Sequence, residues 1–165
     1  MIILGIDPGL AIVGWGVIEY KNARFRTLDY GSVMTPAGTR VEERLKLIYE
    51  GICSLIDTYH PDAIAVEELF FNTNITTGIR VAEARGVILL AAETRGVPIR
   101  EYTPLQVKQA VTGYGRAEKK QVITMVTMLL NLKKPPKPDD TADALAIAIC
   151  HAHSGGSRLA DYYNK

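Results

Sequence analysis

IILGIDPG, residues 2–9, is a run of apolar residues that ends at an aspartate in a turn. A continuous β-branched and apolar run of this kind predicts a strand that is buried on both faces. Residues 14–20 predict its hairpin partner, and residues 25–34 predict a third strand after the polar Lys21-Asn22 turn. Three strands are therefore expected before any helix.

The rest of the chain alternates between helical and extended patterns. Apolar residues recur at spacings of 3, 4 and 3 within residues 40–59, which is typical of an amphipathic helix. Further elements are predicted as strands over 63–66 and 99–102, a helix over 79–94, and later helices interrupted at 112–115 and 133–138, the last beginning near Asp139 or Asp140. This order predicts an α/β fold, with three antiparallel strands extended by parallel strands through crossovers.

Composition points to one domain. The 165 residues are 47% apolar, enough to bury a single sizeable core. We expect the domain to span residues 1–153 and residues 154–165 to form a flexible tail.

Cysteine content and hydropathy indicate the cellular compartment in which the protein is expected. Cys53 and Cys150 are the two cysteines, both among apolar residues, and their spacing matches neither a zinc site nor a disulfide framework. No apolar run approaches the ~20 residues of a membrane span. A cytoplasmic protein without membrane attachment is therefore expected.

Charge is unevenly distributed although the formal net charge is only +1. Residues 106–137 carry seven basic side chains against Glu118 alone, a local net charge of +6. Such a segment forms either a solvated helical face or a surface that binds phosphate groups. Composition alone leaves both interpretations open.

Several carboxylates stand at positions where charge is costly. Asp7 ends the first apolar strand, and Glu67 and Glu68 end the strand 63–66. Adjacent residues of a strand point to opposite faces, so only one of the two glutamates can share a site with Asp7. An Asp-Pro-Gly sequence is also an ordinary turn former.

Asp140 and Asp143 stand three residues apart in the opening turn of the last helix, where both can lie on one face. The same spacing resembles a capping box, with Asp in place of Glu or Gln. If the strand ends of Asp7 and Glu67 are neighbours, this helix could bring four carboxylates together. Oxygen ligands without a His or Cys cluster favour Mg²⁺ or Mn²⁺, and two such ions could support phosphodiester hydrolysis.

Six ordered blocks of the sequence resemble the RuvC family of Holliday junction resolvases. They are GIDPGLAIVGWGVI at 5–18, RLKLIYEGI at 44–52, AVEELF at 65–70, ARGV at 84–87, QVKQAVTGYGRAEKKQV at 106–122 and DDTADALAIAICHAH at 139–153. The resemblance implies a ribonuclease H-like fold with a mixed five-stranded sheet flanked by helices. It also implies a homodimer that nicks like-polarity strands of four-way DNA junctions, leaving 5′-phosphate and 3′-hydroxyl ends, and that cooperates with RuvA and RuvB.

The resemblance assigns roles by position. It implies that the catalytic metal ligands are Asp7, Glu67, Asp140 and Asp143, that they hold two Mg²⁺ ions, which Mn²⁺ could replace, and that Glu68 is only a neighbour. It further implies that Lys108, Lys119 and Phe70 contact the DNA. Three neighbours are further candidates for DNA contacts: Phe71, Arg116 and Lys120. The alternatives are an ordinary surface role for Lys119 and Lys120 at a helix start and a core-facing role for Phe71. The helix over 79–94 looks like the family's dimer contact, although burial within one subunit predicts the same composition.

Three other functions remain as alternatives. A strand followed by Asp-Pro-Gly and a hairpin also resembles the phosphate-binding start of sugar kinases and actin-like ATPases, which usually need a second domain. A ribonuclease H-like nuclease acting on RNA or another branched nucleic acid fits the same residues. A junction-binding module without activity would keep the basic surface and lose its metal ligands.

Overall fold

A mixed five-stranded sheet forms the centre of the molecule in the computed structural model, which describes residues 1–68 and 75–154. The strands are β1 (Ile2–Asp7), β2 (Ile12–Lys21), β3 (Arg24–Met34), β4 (Ala63–Glu67) and β5 (Ile99–Tyr102), in the spatial order β3-β2-β1-β4-β5. The first three are antiparallel, and β4 and β5 are added in parallel. The predicted topology is confirmed.

The described residues form five helices, which cover the sheet. They are α1 (Val41–Tyr59), α2 (Ile75–Thr94), α3 (Pro104–Thr112), α4 (Lys119–Leu129) and α5 (Asp139–Ser154). The start expected for α2 at Ile79 is wrong by four residues: residues 75–78, ITTG, are helical although β-branched residues and glycine have low helix propensity. Within the described residues, no helix is both long and apolar enough to cross a membrane.

The pleat of the strands divides the core into two layers. Leu4, Ile6 and Val66 pack with α1 and α2, whereas Ile3 and Ala65 pack with α3, α4 and α5. Both cysteine thiols are free and buried, as expected. Helix α5 is buried along nearly its whole length. It therefore lies as an internal helix between the sheet on one side and helices α3 and α4 on the other.

Candidate active site

Two carboxylates meet at the carboxyl ends of neighbouring strands. Strands β1 and β4 are parallel, and Ile6 lies opposite Val66, so that Asp7 and Glu67 follow side by side. The pleat sends both towards the layer of α5. Glu68 is exposed, and its backbone N–H donates to the carbonyl of Tyr102 at 2.8 Å. The structure therefore brings Glu67, and not Glu68, together with Asp7.

Glycines allow the start of α5 to approach this strand end. Gly14 lies opposite Asp7 in the hairpin, and a Cβ atom on Gly14 would collide with the backbone carbonyl of Asp140. On the same face, a Cβ on Gly5 would lie 2.9 Å from the Cβ of Ala148. The strands thus present a surface without side chains on which α5 rests. This contact delivers Asp140 and Asp143, from the first turns of α5, to Asp7.

Burial and like charges raise the proton affinity of the cluster. Desolvation is the largest cause that raises the pKa of Asp7 to about 8, and the negative charges of Asp143, Glu67 and Asp140 add to it. The pKa of Glu67 is also raised, first by burial and then by Asp143. Carboxylates crowded in this way repel each other, and a cation relieves the repulsion.

Lysines from α3 and α4 supply part of the missing positive charge. The Lys119 ammonium donates to the Asp143 carboxylate at 2.8 Å, and this hydrogen bond raises the pKa of the lysine. Lys119 also lowers the pKa of Asp7, and both Lys108 and Lys119 lower that of Glu67. Asp143 therefore binds a lysine 24 residues away in sequence instead of capping its own helix.

The donor set fits a hard divalent cation. Four carboxylates with no sulfur or imidazole partner are ligands of the type that Mg²⁺ and Mn²⁺ prefer. The raised pKa of Asp7 indicates that the cluster lacks positive charge. Within residues 1–68 and 75–154, no three His, Cys, Asp or Glu side chains already form a finished metal site. The chemistry of the site fits a metal ion, while its shell is not closed.

Four other residues singled out from the sequence lie on the surface of the basic segment or outside the described chain. Arg116 and Lys120 are exposed near the loop between α3 and α4, in the basic segment. They line two shallow clefts on either side of Tyr114. Phe70 and Phe71 lie outside the described residues.

Sequence reasoning missed two arginines close to the cluster. Arg44 of α1 and Arg80 of α2 line one groove together with Asp7 and Asp140. Neither arginine belongs to the basic segment, so local charge density gave no signal for them. It also missed the role of Gly14, although glycines at alternate positions of one strand can indicate close packing.

Sequence relatives support one family. The profile of the family described as "Crossover junction endodeoxyribonuclease RuvC" matches residues 3–151. The chain is 62% identical over 154 residues to the crossover junction endodeoxyribonuclease RuvC of Clostridioides difficile strain 630, covering 93% of this chain and 91% of that protein. The corresponding protein of Brevibacillus brevis is 61% identical over 152 residues, with 92% of each chain covered.

Solved structures agree with the sequence relatives. The Thermus thermophilus RuvC structure matches with a TM-score of 0.87 and 40% identity, covering 94% of this chain and 96% of that one. T. thermophilus RuvC in complex with a Holliday junction substrate matches with a TM-score of 0.90 and 40% identity, covering 94% of each chain. The yeast mitochondrial resolvase Ydc2, at 14% identity and a TM-score of 0.70 over 98% of this chain and 82% of that one, shares the fold. The chain belongs to the RuvC family of crossover junction endodeoxyribonucleases.

Proposed function

We propose that this chain resolves four-way DNA junctions by metal-assisted hydrolysis of phosphodiester bonds in two strands of like polarity. The observation that carries the proposal is the convergence of Asp7, Glu67, Asp140 and Asp143 at one end of the sheet, beside two lysines. A T. thermophilus relative with 40% identity has been solved with a Holliday junction. The substrate of that relative is the one we assign here.

The four carboxylates would hold the metal ions, which we take to be two Mg²⁺ with Mn²⁺ as a substitute. Bound there, such ions activate a water molecule and stabilise the leaving oxygen. Asp7 and Glu67 stand on strands, and Asp140 and Asp143 on a buried helix, so all four ligands are held by rigid elements. That rigidity preserves the spacing of the ligands when DNA binds.

Lys119 and Lys108 act on the phosphate in this proposal. Lys119 is protonated at neutral pH, as an ordinary lysine is, and its hydrogen bond to Asp143 raises its pKa further. The ammonium would donate to a phosphate oxygen and offset the charge that develops there during hydrolysis. Arg116 and Lys120 extend the basic surface for backbone contacts, and Phe70 and Phe71 are assigned to unpaired bases at the junction centre.

A homodimer fits the geometry of the reaction. One site cuts one strand, so symmetric resolution needs two sites related by a twofold axis. The outer side of α2 offers an apolar stripe, in which Ile79 is 51% exposed and Leu90 is 55% exposed. Gly86 lies between them, and no atom stands within 4 Å of where its Cβ would be. Leu90→Glu should shift the protein from dimer to monomer in analytical ultracentrifugation. Met128→Glu, a matched change at an exposed apolar residue of α4, should not do so.

The proposal also covers the domain organisation, the cellular compartment and the protein partners. We assign residues 1–153 to a single nuclease domain that acts in the cytoplasm, where Cys53 and Cys150 would stay reduced. Cooperation with RuvA and RuvB is part of the proposal through the family resemblance. It predicts that a RuvA–RuvB complex from a related bacterium stimulates cleavage by this protein.

The adjacent glutamates provide a matched test of the active site. End-labelled four-way junctions and linear duplexes of the same sequence are incubated with purified protein in Mg²⁺ or EDTA. Glu67→Gln should slow junction cleavage by roughly 100-fold or more, since a lost ligand removes several kcal/mol of charge stabilisation. Glu68→Gln, one residue away and exposed, should change the rate by no more than about twofold.

With RNA–DNA hybrids and other branched substrates added to this assay, the related nuclease and the inactive binding module give results that differ from those of a resolvase. Paired nicks that require Mg²⁺, occur only in the junction and disappear with Glu67→Gln establish a resolvase. Junction binding without cutting supports an inactive binding module. Cleavage of RNA–DNA hybrids or other branches in preference to the four-way junction supports the related nuclease.

A further inference from the structure

A groove extends from the carboxylate cluster towards α1 and α2, on the side away from the lysines. Its volume is about 540 Å³, and Asp7 and Asp140 are among the residues that line it. Residues 8–12, which lead from β1 into β2, line it as well, together with Arg44 and Arg80. The two arginines therefore share one open space with two carboxylates of the site.

Arg44 is fixed beside this loop. Its Nε donates to the Thr35 hydroxyl at 2.8 Å, and that hydroxyl donates to the Leu10 carbonyl at 2.5 Å. Thr35 is buried and Arg44 is half-buried. Within the described residues Arg44 has no carboxylate partner. Its position is thus set by the loop, and its charge is not neutralised by an ion pair.

Arg80 is held more loosely. Within the described residues it forms an ion pair with Glu83, one turn along α2, at 2.9 Å, and the arginine side chain is 46% exposed. Exposed pairs of this kind contribute little to stability. A guanidinium has five N–H donors, so it can bind a phosphate in addition to Glu83 or in exchange for it.

The two sets of cations reach the site from opposite layers of the fold. Lys108 and Lys119 come from α3 and α4, on the α5 side of the sheet, whereas Arg44 and Arg80 come from α1 and α2 on the other side. The carboxylates lie between them at the ends of the central strands. A polyanion whose cleaved phosphate lies at the carboxylates can thus be held on both sides.

We propose that Arg80, supported by Arg44, binds a backbone phosphate of the cleaved strand next to the scissile phosphate, on the side of that phosphate opposite the lysines. This inference rests on the proposed nuclease function and extends it. The contact positions the strand and takes no part in the chemistry. It carries no base information, so its contribution is independent of DNA sequence.

The test compares three variants in junction binding without cleavage. Binding of a labelled four-way junction is titrated in EDTA at several KCl concentrations, using wild type, Arg80→Gln, Arg80→Lys and Glu83→Gln. Arg80→Gln should weaken binding on the order of tenfold and reduce the slope of log K against log salt by about 0.9 per protomer bound. Arg80→Lys should keep most of that slope, because it keeps the charge.

Glu83→Gln is the control for the possibility that the Arg80–Glu83 ion pair only stabilises the fold. Both Glu83→Gln and Arg80→Gln break the pair, but only the second removes the cation from the groove. Glu83→Gln should therefore bind the junction as tightly as wild type or more tightly. In single-turnover cleavage with Mg²⁺, Arg80→Gln should raise the protein concentration that gives the half-maximal rate. The maximal rate should stay within about threefold of the wild-type value, because the lost contact stabilises the bound substrate and the transition state equally.

Two results would overturn the inference. The first is a slope of log K against log salt that is the same in Arg80→Gln as in wild type. The second is an equal loss of junction affinity in Glu83→Gln and Arg80→Gln, accompanied by an equal fall in the melting temperature of both variants. Failure of the proposed function has a separate signature, because wild type would then cleave the junction no better than a linear duplex. The Arg80 comparison can be read in either case from binding alone.

Discussion

Asp7→Asn should stabilise the metal-free protein while abolishing cleavage. Burial and three neighbouring carboxylates raise the pKa of Asp7 from 3.8 to about 8. At pH 7 the folded chain holds this proton and the unfolded chain has lost it. At 1.36 kcal/mol per pH unit, the difference lowers the free energy of unfolding by about 4 kcal/mol. The cost grows from the unfolded pKa of 3.8 up to the folded value, so it is about 2 kcal/mol at pH 5.

Asparagine removes the titration and leaves a polar amide at the same place, which costs about 1–3 kcal/mol if the amide finds no partner. The net gain of Asp7→Asn is therefore expected to be about 1–3 kcal/mol at pH 7, or roughly 5 °C in melting temperature, and close to zero at pH 5. Calorimetric melting in EDTA between pH 5 and pH 8 measures it. Mg²⁺ should raise the melting temperature of wild type and have little effect on the variant. A stability change that is the same at all pH values would refute the reasoning.

Three further changes probe the supports of the site. Gly14→Ala should lower the free energy of unfolding by about 1–3 kcal/mol and slow cleavage, because its Cβ displaces the start of α5; an unchanged urea midpoint would contradict this packing. Lys119→Gln should change stability by less than about 1 kcal/mol but slow single-turnover cleavage by about 10-fold to 100-fold, whereas equal losses in Lys119→Gln and Lys120→Gln would exclude a specific role. Tyr102→Phe removes the 2.6 Å hydrogen bond to buried His151 and should cost about 1–2 kcal/mol in urea denaturation. Burial lowers the pKa of His151, so this residue should reduce stability as the pH falls below about 6.5, opposite in sign to the effect of Asp7. The loss should be visible in Asp7→Asn, where the titration of Asp7 is absent, and a flat acid profile of that variant would speak against it.

Local rules predict antiparallel strands followed by parallel ones, whereas they bring Asp7 to Glu67 only on the condition that the two strands are neighbours. An apolar run that ends at a carboxylate marks a strand end, and crossover connections make the later strands parallel. The alternation of side chains shows that only one of Glu67 and Glu68 can join Asp7. The family resemblance selects Glu67, and the strand register leads to the same residue.

Contacts between distant parts of the chain could not be predicted in this way. The pair Lys119–Asp143 and the groove shared by Arg44 and Arg80 depend on how helices from different layers converge. The first turn of α2 was missed because the propensity of residues 75–78 is low, so helix formation there depends on its surroundings. Charge density along the sequence identified the basic segment and overlooked isolated arginines that the fold gathers.

The burial of α5 has a consequence for how the enzyme loses activity. Two of the four carboxylates stand on the element whose amide hydrogens should exchange most slowly, because nearly every side chain from Thr141 to Ala152 is enclosed. Fraying of surface segments would leave Asp140 and Asp143 in place. Opening α5 requires the sheet and the outer helices to separate, so the carboxylate cluster and the globular core should be lost in one cooperative transition. Inactivation on heating should then coincide with global melting and have no earlier phase of its own.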